Sequence, residues 1–274
     1  MVAIARRACY QIGMTDLVLK EQRGGVLLLT LSNAPANGYS YEMMRALDAA
    51  VLDARMDTSV HVIMLTGAGE RFFCAGADIS MLDAADPTFK YYFCVHANET
   101  LNRLEQTPKL VIAALNGHTV GGGLEVALAA DLRIAKDADF KLGLPEVNLG
   151  VLPGTGGTQR LARALGKSLA IELMATGRNF GVTEAKAMGL INQVLPAEGF
   201  LEKAFEYAEQ FVPPKRASRA VGFIKRSVVS GLESSFSEGL ALERELQQQL
   251  FVGEDAKEGI RAFVERREAQ FKGR

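Results

Sequence analysis

Thr119-Val120-Gly121-Gly122-Gly123-Leu124-Glu125 sets three glycines and an acid at the head of a run, Leu124 to Ala130, whose residues favour helix. Consecutive glycines cost backbone entropy, and they leave bare N–H groups open to close approach by a ligand. At a helix start such amides favour developing negative charge, and Glu125 falls in the first turn. On its own, Glu125 reads equally well as an ordinary first-turn acid. Working outward, Leu144-Pro145-Glu146 supplies a second carboxylate, which alone would be a solvated loop acid. Another glycine-rich turn, Gly154-Thr155-Gly156-Gly157-Thr158-Gln159-Arg160, follows it. Two acids flanked by backbone donors suit proton transfer on a carbonyl compound. Upstream, Phe72-Phe73-Cys74-Ala75-Gly76-Ala77-Asp78-Ile79 places Asp78 as a helix N-cap. The Ala77 amide there would project from a tight turn toward an oxyanion, against the plain alternative of a simple glycine turn.

The surrounding pattern is α/β. Val26 to Leu31, Val60 to Thr66, Leu110 to Leu115 and Leu132 to Ala135 are compact apolar runs that read as buried strands. Tyr41 to Met56 repeats Met43, Met44, Leu47, Val51 and Leu52 at helical spacing, and Thr88 to Gln106 is a second helix. Repeated strand, strand, helix units make an α/β core. Beyond Ala197 helix dominates, over 199–211, 218–230, 234–251 and 255–272. Leu240, Leu242, Leu246, Leu250 and Phe251 in this part are expected as core or interface residues. The chain thus divides into an extension over residues 1–13, a core over 14–197 and a helical region over 198–274, with Met14 offering a second start.

Composition excludes several classes. Of 274 residues 48% are apolar, enough for a substantial core, and a net charge of −1 gives no global basic field for nucleic acid. Cys9, Cys74 and Cys94 are odd in number and lack metal-type spacing, and His61, His96 and His118 are scattered. A zinc site or disulfide framework is not expected, and a reducing, cytoplasmic setting is. No apolar run reaches the ~18 residues of a transmembrane helix. Neither a G-x-G-x-x-G unit nor a P-loop is present, so NAD and ATP are not implied.

Taken jointly, Ala75-Gly76-Ala77-Asp78, Asn116-Gly117 with Gly121-Gly122-Gly123-Leu124-Glu125, Leu144-Pro145-Glu146 and Leu152-Pro153-Gly154-Thr155-Gly156-Gly157-Thr158-Gln159-Arg160-Leu161 resemble the crotonase superfamily, the enoyl-CoA hydratases most nearly. The resemblance runs from about Asp16 to Arg267. It implies a crotonase-like spiral core of ββα units and a C-terminal helical trimerisation region, assembled as a homotrimer or as a homohexamer built from two trimers. It implies oxyanion-hole amides at Ala77 and Gly122, catalytic glutamates at Glu125 and Glu146, and substrate contacts at Ala75, Asp78, Ile79 and Gly154. The substrate would be an acyl-CoA thioester, with no metal or organic cofactor, no nucleic acid and no membrane partner. Members resembling the isomerases commonly keep only the acid matching Glu146, so the pair points to hydration. Glu125 is expected ionised by its helix-start position, and Glu146 protonated, kept so by its charged neighbour and burial. The alternatives are an enoyl-CoA isomerase or another crotonase-type hydratase or lyase acting on a branched or cyclic acyl group. The chain departs from the family's Arg-Pro-x-x-x-Asn-Ala-Leu segment: Ala34-Pro35-Ala36-Asn37-Gly38-Tyr39 stands there, with Asn37 expected to keep its turn role. Arg71, Arg266 and Lys272 are candidates for the CoA phosphates, though for any single one a solvated side chain is the preferred reading.

Overall fold

The computed structural model describes residues 17–274, so the expected extension over 1–13 and the choice between Met1 and Met14 lie outside the described residues. Strand β1 (Val18–Arg23) turns back at Gly24-Gly25 into β2 (Val26–Leu31), which is followed by helix α1 (Tyr41–Met56) and strand β3 (Val62–Gly67). Next come β4 (Phe72–Cys74), α2 (Ile79–Ala84), α3 (Pro87–Gln106), β5 (Leu110–Leu115), β6 (His118–Val120) and α4 (Gly122–Leu128). β7 (Leu132–Lys136), β8 (Leu142–Gly143), a 3-10 turn (Glu146–Leu149), α5 (Gly157–Leu165), α6 (Lys167–Thr176), α7 (Val182–Ala187) and β9 (Gln193–Leu195) complete the sheets. Four helices close the chain: α8 (Phe200–Ala208), α9 (Ser218–Gly231), α10 (Phe236–Phe251) and α11 (Glu254–Glu265).

The strands form a six-stranded sheet in the order β1-β2-β3-β5-β7-β9 and a three-stranded sheet in the order β4-β6-β8. Among the strand pairs of the described residues only β1–β2 is antiparallel. Each of β3, β5 and β7 in the large sheet is followed at once by β4, β6 or β8 in the small one, and then by a helical segment. Three turns of a ββα spiral result, as the resemblance implies. Parallel strands covered on both sides must be apolar on both faces, and β3 and β5 are buried throughout. Ile63, Leu65, Val111, Ala113 and Leu115 face the core shared with α1, α3 and α4. Their neighbours Val62, Met64, Leu110, Ile112 and Ala114 face Phe200, Ala204, Phe205 and Ala208 of α8. The helical region beyond residue 197 therefore begins as the cover of the sheet's second face.

Helix α1 follows its sequence period closely: Met43, Met44, Leu47, Ala50, Val51 and Ala54 are buried, and Ser40 caps the first turn by accepting from Met43 N at 3.3 Å. Leu52, expected on the same face, is exposed. Helix α10 starts with a capping box between Ser235 and Glu238; of the residues expected as core or interface, Leu246 is buried in the core and Phe251 is exposed. The last helix ends at Glu265 rather than running to Lys272, because Arg266 adopts φ 55° and turns the chain back. The tail is then fastened by Asp255, whose carboxylate accepts from Lys272 N at 2.7 Å, Gly273 N at 2.8 Å and Arg274 N at 3.1 Å.

Helix α9 docks on the core through a buried ion pair. Lys225 Nζ lies 2.9 Å from Asp131 Oδ2 and also donates to the carbonyls of Lys109 and Leu104 at 3.0 and 3.3 Å. Asp131 Oδ2 accepts from Val111 N at 2.7 Å, tying the pair to β5. Lys225→Met removes the cation and strands a buried carboxylate, so it should cost ~3–5 kcal/mol in urea unfolding near neutral pH. A loss below ~1 kcal/mol would show that the pair is not the anchor of α9.

Candidate active site

Two short loops of the small sheet bring the predicted amides together. Asn37, at φ 53°, holds the early turn by donating from Nδ2 to the carbonyls of Ala68 and Phe72, both at 2.9 Å, which is its expected role. The next residues pair with the loop after β4: Tyr39 N donates to Gly76 O at 2.9 Å and Asp78 N donates to Tyr39 O at 3.0 Å, a parallel bridge opposite Ala77. In such a bridge the residue between the two bonds turns its own N–H to the other side. Gly76, at φ 96°, makes the turn possible, and a Cβ on it would come within 3.1 Å of Gly122 N. The two loops are therefore in contact. Among the described residues, neither Ala77 N–H nor Gly122 N–H donates a hydrogen bond.

Gly122 opens α4 after Gly121, whose φ of 56° and ψ of −136° only glycine adopts readily. Close packing also explains the glycine run, since a Cβ at Gly123 would lie 1.9 Å from Cys74 O and one at Gly122 would lie 2.2 Å from Tyr39 Oη. The helix is only seven residues long and wholly buried, and it carries Glu125 into the interior at 2% exposure. Glu125 is far from the plain first-turn acid that the sequence allows. Its Oε1 accepts from Thr155 N at 2.8 Å and Gly157 N at 2.7 Å, and its Oε2 accepts from the Thr155 hydroxyl. The second glycine-rich turn is thus the cradle of the first acid.

Glu146 heads the 3-10 turn after β8 and is half-buried. Its Oε1 lies 3.1 Å from the place a Cβ on Gly121 would take, which sets it beside the start of α4. Its Oε2 is buried without a hydrogen-bond partner among the described residues. Burial pushes the carboxyl up to about 7, the nearby Glu125 charge adds to the rise, and Lys90 opposes it. The two carboxyl groups have unlike environments, Glu125 held by three donors and Glu146 with an unpartnered oxygen, and the charge of the first reaches the second.

The remaining candidates lie around this centre. Gly154 packs near α3, where a Cβ would approach Cys94 Sγ to 3.3 Å and where Asn98 Nδ2 donates to its carbonyl at 3.3 Å. Asp78 is the N-cap of α2, accepting from Met81 N at 3.0 Å, and Ala75 N is spent on Ala36 O at 3.0 Å. Ile79 is 64% exposed on the outer side of that helix start. Of the aromatics on α3, Phe93 is buried against Tyr39 with ring centroids 5.9 Å apart, whereas Tyr91 and Tyr92 face out. Arg71 stacks over Phe72 at 5.2 Å, Arg266 caps α11, and Lys272 pairs with Glu254 at 3.4 Å. Sequence reading singles out Gly154 in its turn but carries no signal for Thr155 or Gly157, because their contacts with Glu125 span about thirty residues.

The family model described as enoyl-CoA hydratase/isomerase matches residues 21–274. The chain belongs to the enoyl-CoA hydratase/isomerase family. It is 36% identical over 259 residues to the short-chain-enoyl-CoA hydratase of Clostridium acetobutylicum, covering 94% of this chain and 98% of that one. The 2,3-dehydroadipyl-CoA hydratase of Escherichia coli is likewise 36% identical, with 95% and 100% of the two chains covered. Among solved structures, an enoyl-CoA hydratase from Geobacillus kaustophilus matches with a TM-score of 0.92 at 43% identity, covering 94% of this chain and 97% of that chain. Membership in the enoyl-CoA hydratase/isomerase family accounts for the spiral of ββα turns and for the order of the glycine-rich loops. Among the described residues no helix is long and apolar enough to cross a membrane.

Proposed function

We propose that this chain adds water across the double bond of a trans-2-enoyl-CoA to give a 3-hydroxyacyl-CoA. The observation that carries the reading is the convergence of two undonated amides, Ala77 N–H and Gly122 N–H, with two carboxyl groups, Glu125 and Glu146. The thioester oxygen binds between the amides. As a water oxygen attacks C3, the π electrons move toward that oxygen, and donors already oriented there stabilise the enolate-like transition state without reorganising. Glu125 takes the proton that the water loses, and Glu146 delivers its own proton to C2. Transfer of the proton from Glu125 to Glu146 then restores both groups, so that one water is added and nothing else is consumed. Charge is met by amides and protons by carboxyl groups, and the chemistry calls for no metal or organic cofactor. Gly154 borders the water side, while Ala75, Asp78 and Ile79 border the substrate.

Glu146 sets the pH dependence. Its carboxyl, raised to about 7, is protonated below that value and ionised above it, so the hydration rate with crotonyl-CoA should fall as pH rises through about 7. The same raised value makes the free protein's stability fall as pH rises from the ordinary carboxylate range to about 7 and stay lowered above it. Glu146→Gln should remove that stability slope. A hydration rate that climbs through pH 7 would overturn Glu146 as the acid.

An isomerase working through Glu146 alone uses the same enolate, but it leaves the three donors to Glu125 without a purpose. The exposed row of Ile224 and Val228 on α9 and Leu232 just past its end, with Phe236 on α10 and Phe263 on α11, supports assembly into a homotrimer or a dimer of trimers. Free Cys74 and Cys94 fit a reducing cytoplasm.

A further inference from the structure

Tyr39 stands at one of the places where the chain departs from the family pattern, and its phenol is buried in the site at 3% exposure. The ring packs against Phe93 and fills the space beside Gly122, where a Cβ would come within 2.2–2.6 Å of its atoms. Its Oη lies 3.0 Å from Thr155 Oγ1, and the Thr155 hydroxyl in turn reaches Glu125 Oε2.

Counting protons gives this chain a direction. Each carboxylate oxygen has two acceptor sites, and a hydroxyl has one proton. Glu125 Oε1 is filled by the Thr155 and Gly157 amides. Oε2 receives the Thr155 proton, which leaves one acceptor site on that oxygen for an incoming water. With its proton spent, Thr155 must accept from Tyr39. We infer that Tyr39 and Thr155 form a two-hydroxyl positioning chain, Tyr39 to Thr155 to Glu125, that aims the one free acceptor site of Glu125 at the reacting water. Burial and the Glu125 charge both push the Tyr39 phenol well above its ordinary range, which keeps it a donor at working pH. The same ring backs the Gly122 amide, so one residue sets both the base and one oxyanion donor. The inference rests on the reading of Glu125 as the base.

The test is steady-state kinetics with crotonyl-CoA on the full chain, its Tyr39→Phe, Thr155→Ala and Thr155→Ser variants and the Tyr39→Phe/Thr155→Ala double variant, with melting temperatures recorded for each. Thr155→Ala should lower kcat ~10–100-fold with KM changed less than ~2-fold, the scale expected when a partner that orients a reacting group is removed. Thr155→Ser, which restores the hydroxyl without the methyl, should recover most of that loss. Tyr39→Phe should lower kcat ~3–10-fold in the parent chain but less than ~2-fold in the Thr155→Ala background, because a chain with a missing link transmits nothing. Equal effects of Tyr39→Phe in both backgrounds, or a Ser variant as impaired as Ala, would overturn the positioning chain and leave hydration standing. A parent protein that hydrates no enoyl-CoA would overturn the proposed function, and the inference with it.

Discussion

Glu125→Gln should lower kcat for hydration by ~10²–10⁴-fold, the range that one positioned acid–base group contributes. The fold should survive the change. Glutamine keeps a carbonyl oxygen for the Thr155 and Gly157 amides, which hold Oε1 at 2.8 and 2.7 Å. The new NH2 donates to the Thr155 hydroxyl, which rotates to donate to Tyr39 Oη and leaves the Tyr39 O–H without an acceptor, a cost of ~1–3 kcal/mol. What disappears is the acceptor for the water proton. Binding of a saturated acyl-CoA should be unchanged, because in the proposed reading the thioester oxygen binds the Ala77 and Gly122 amides rather than the acid. A Gln variant that keeps its rate within tenfold would sink the two-glutamate assignment.

Gly122→Ala should be nearly as damaging, through geometry rather than chemistry. The new Cβ would fall 2.2 Å from Tyr39 Oη and 2.5 and 2.6 Å from two ring carbons. Tyr39 is wedged against Phe93 and tied to Thr155, so the start of α4 must yield, and the Gly122 amide moves off the position the proposed function gives the thioester oxygen. Loss of one oxyanion donor costs ~10²–10³ in kcat, and the overpacking adds ~1–3 kcal/mol of destabilisation. Adding Tyr39→Phe should not rescue it, since the ring carbons stay in place. Gly181→Ala, where nothing lies within 4 Å, is the control that should leave kcat and the melting temperature almost unchanged. If Gly122→Ala matched that control, Gly122 N–H would not be an oxyanion donor.

The legible parts of the fold were those with a long period. β2, α1, β5 and α3 carry five or more residues of regular apolar spacing, and their bounds come out almost as read. β4, β6 and β8 are two or three residues long, too short for any alternation to register, yet they make the small sheet that holds the site. β1 was missed because its middle, Lys20-Glu21-Gln22, is polar and exposed at the sheet edge, where pairing with β2 decides its structure. The end of α11 was misplaced because the sequence after Glu265 stays helix-compatible. The turn is made at Arg266, and the tail it sends back is held by Asp255 through three amides, a contact across seventeen or more residues.

In the site, residues with a local signature were found and residues with a remote one were not. The turn glycines and Asp78 as N-cap follow from neighbours in the chain, and their geometry agrees with the reading. Tyr39 and Thr155 are separated by 116 positions, and nothing in either segment shows that their hydroxyls meet. The upward push on Glu146 was anticipated, but its first cause is burial, which depends on how the turn at Glu146–Leu149 settles against α4.

The most direct test of hydration is the mass of the product formed from crotonyl-CoA in water enriched in heavy oxygen. The account predicts a product heavier by one water, with the heavy oxygen bonded at C3 and a solvent-derived hydrogen at C2. A product of unchanged mass with a shifted double bond, or release of free CoA, would contradict it.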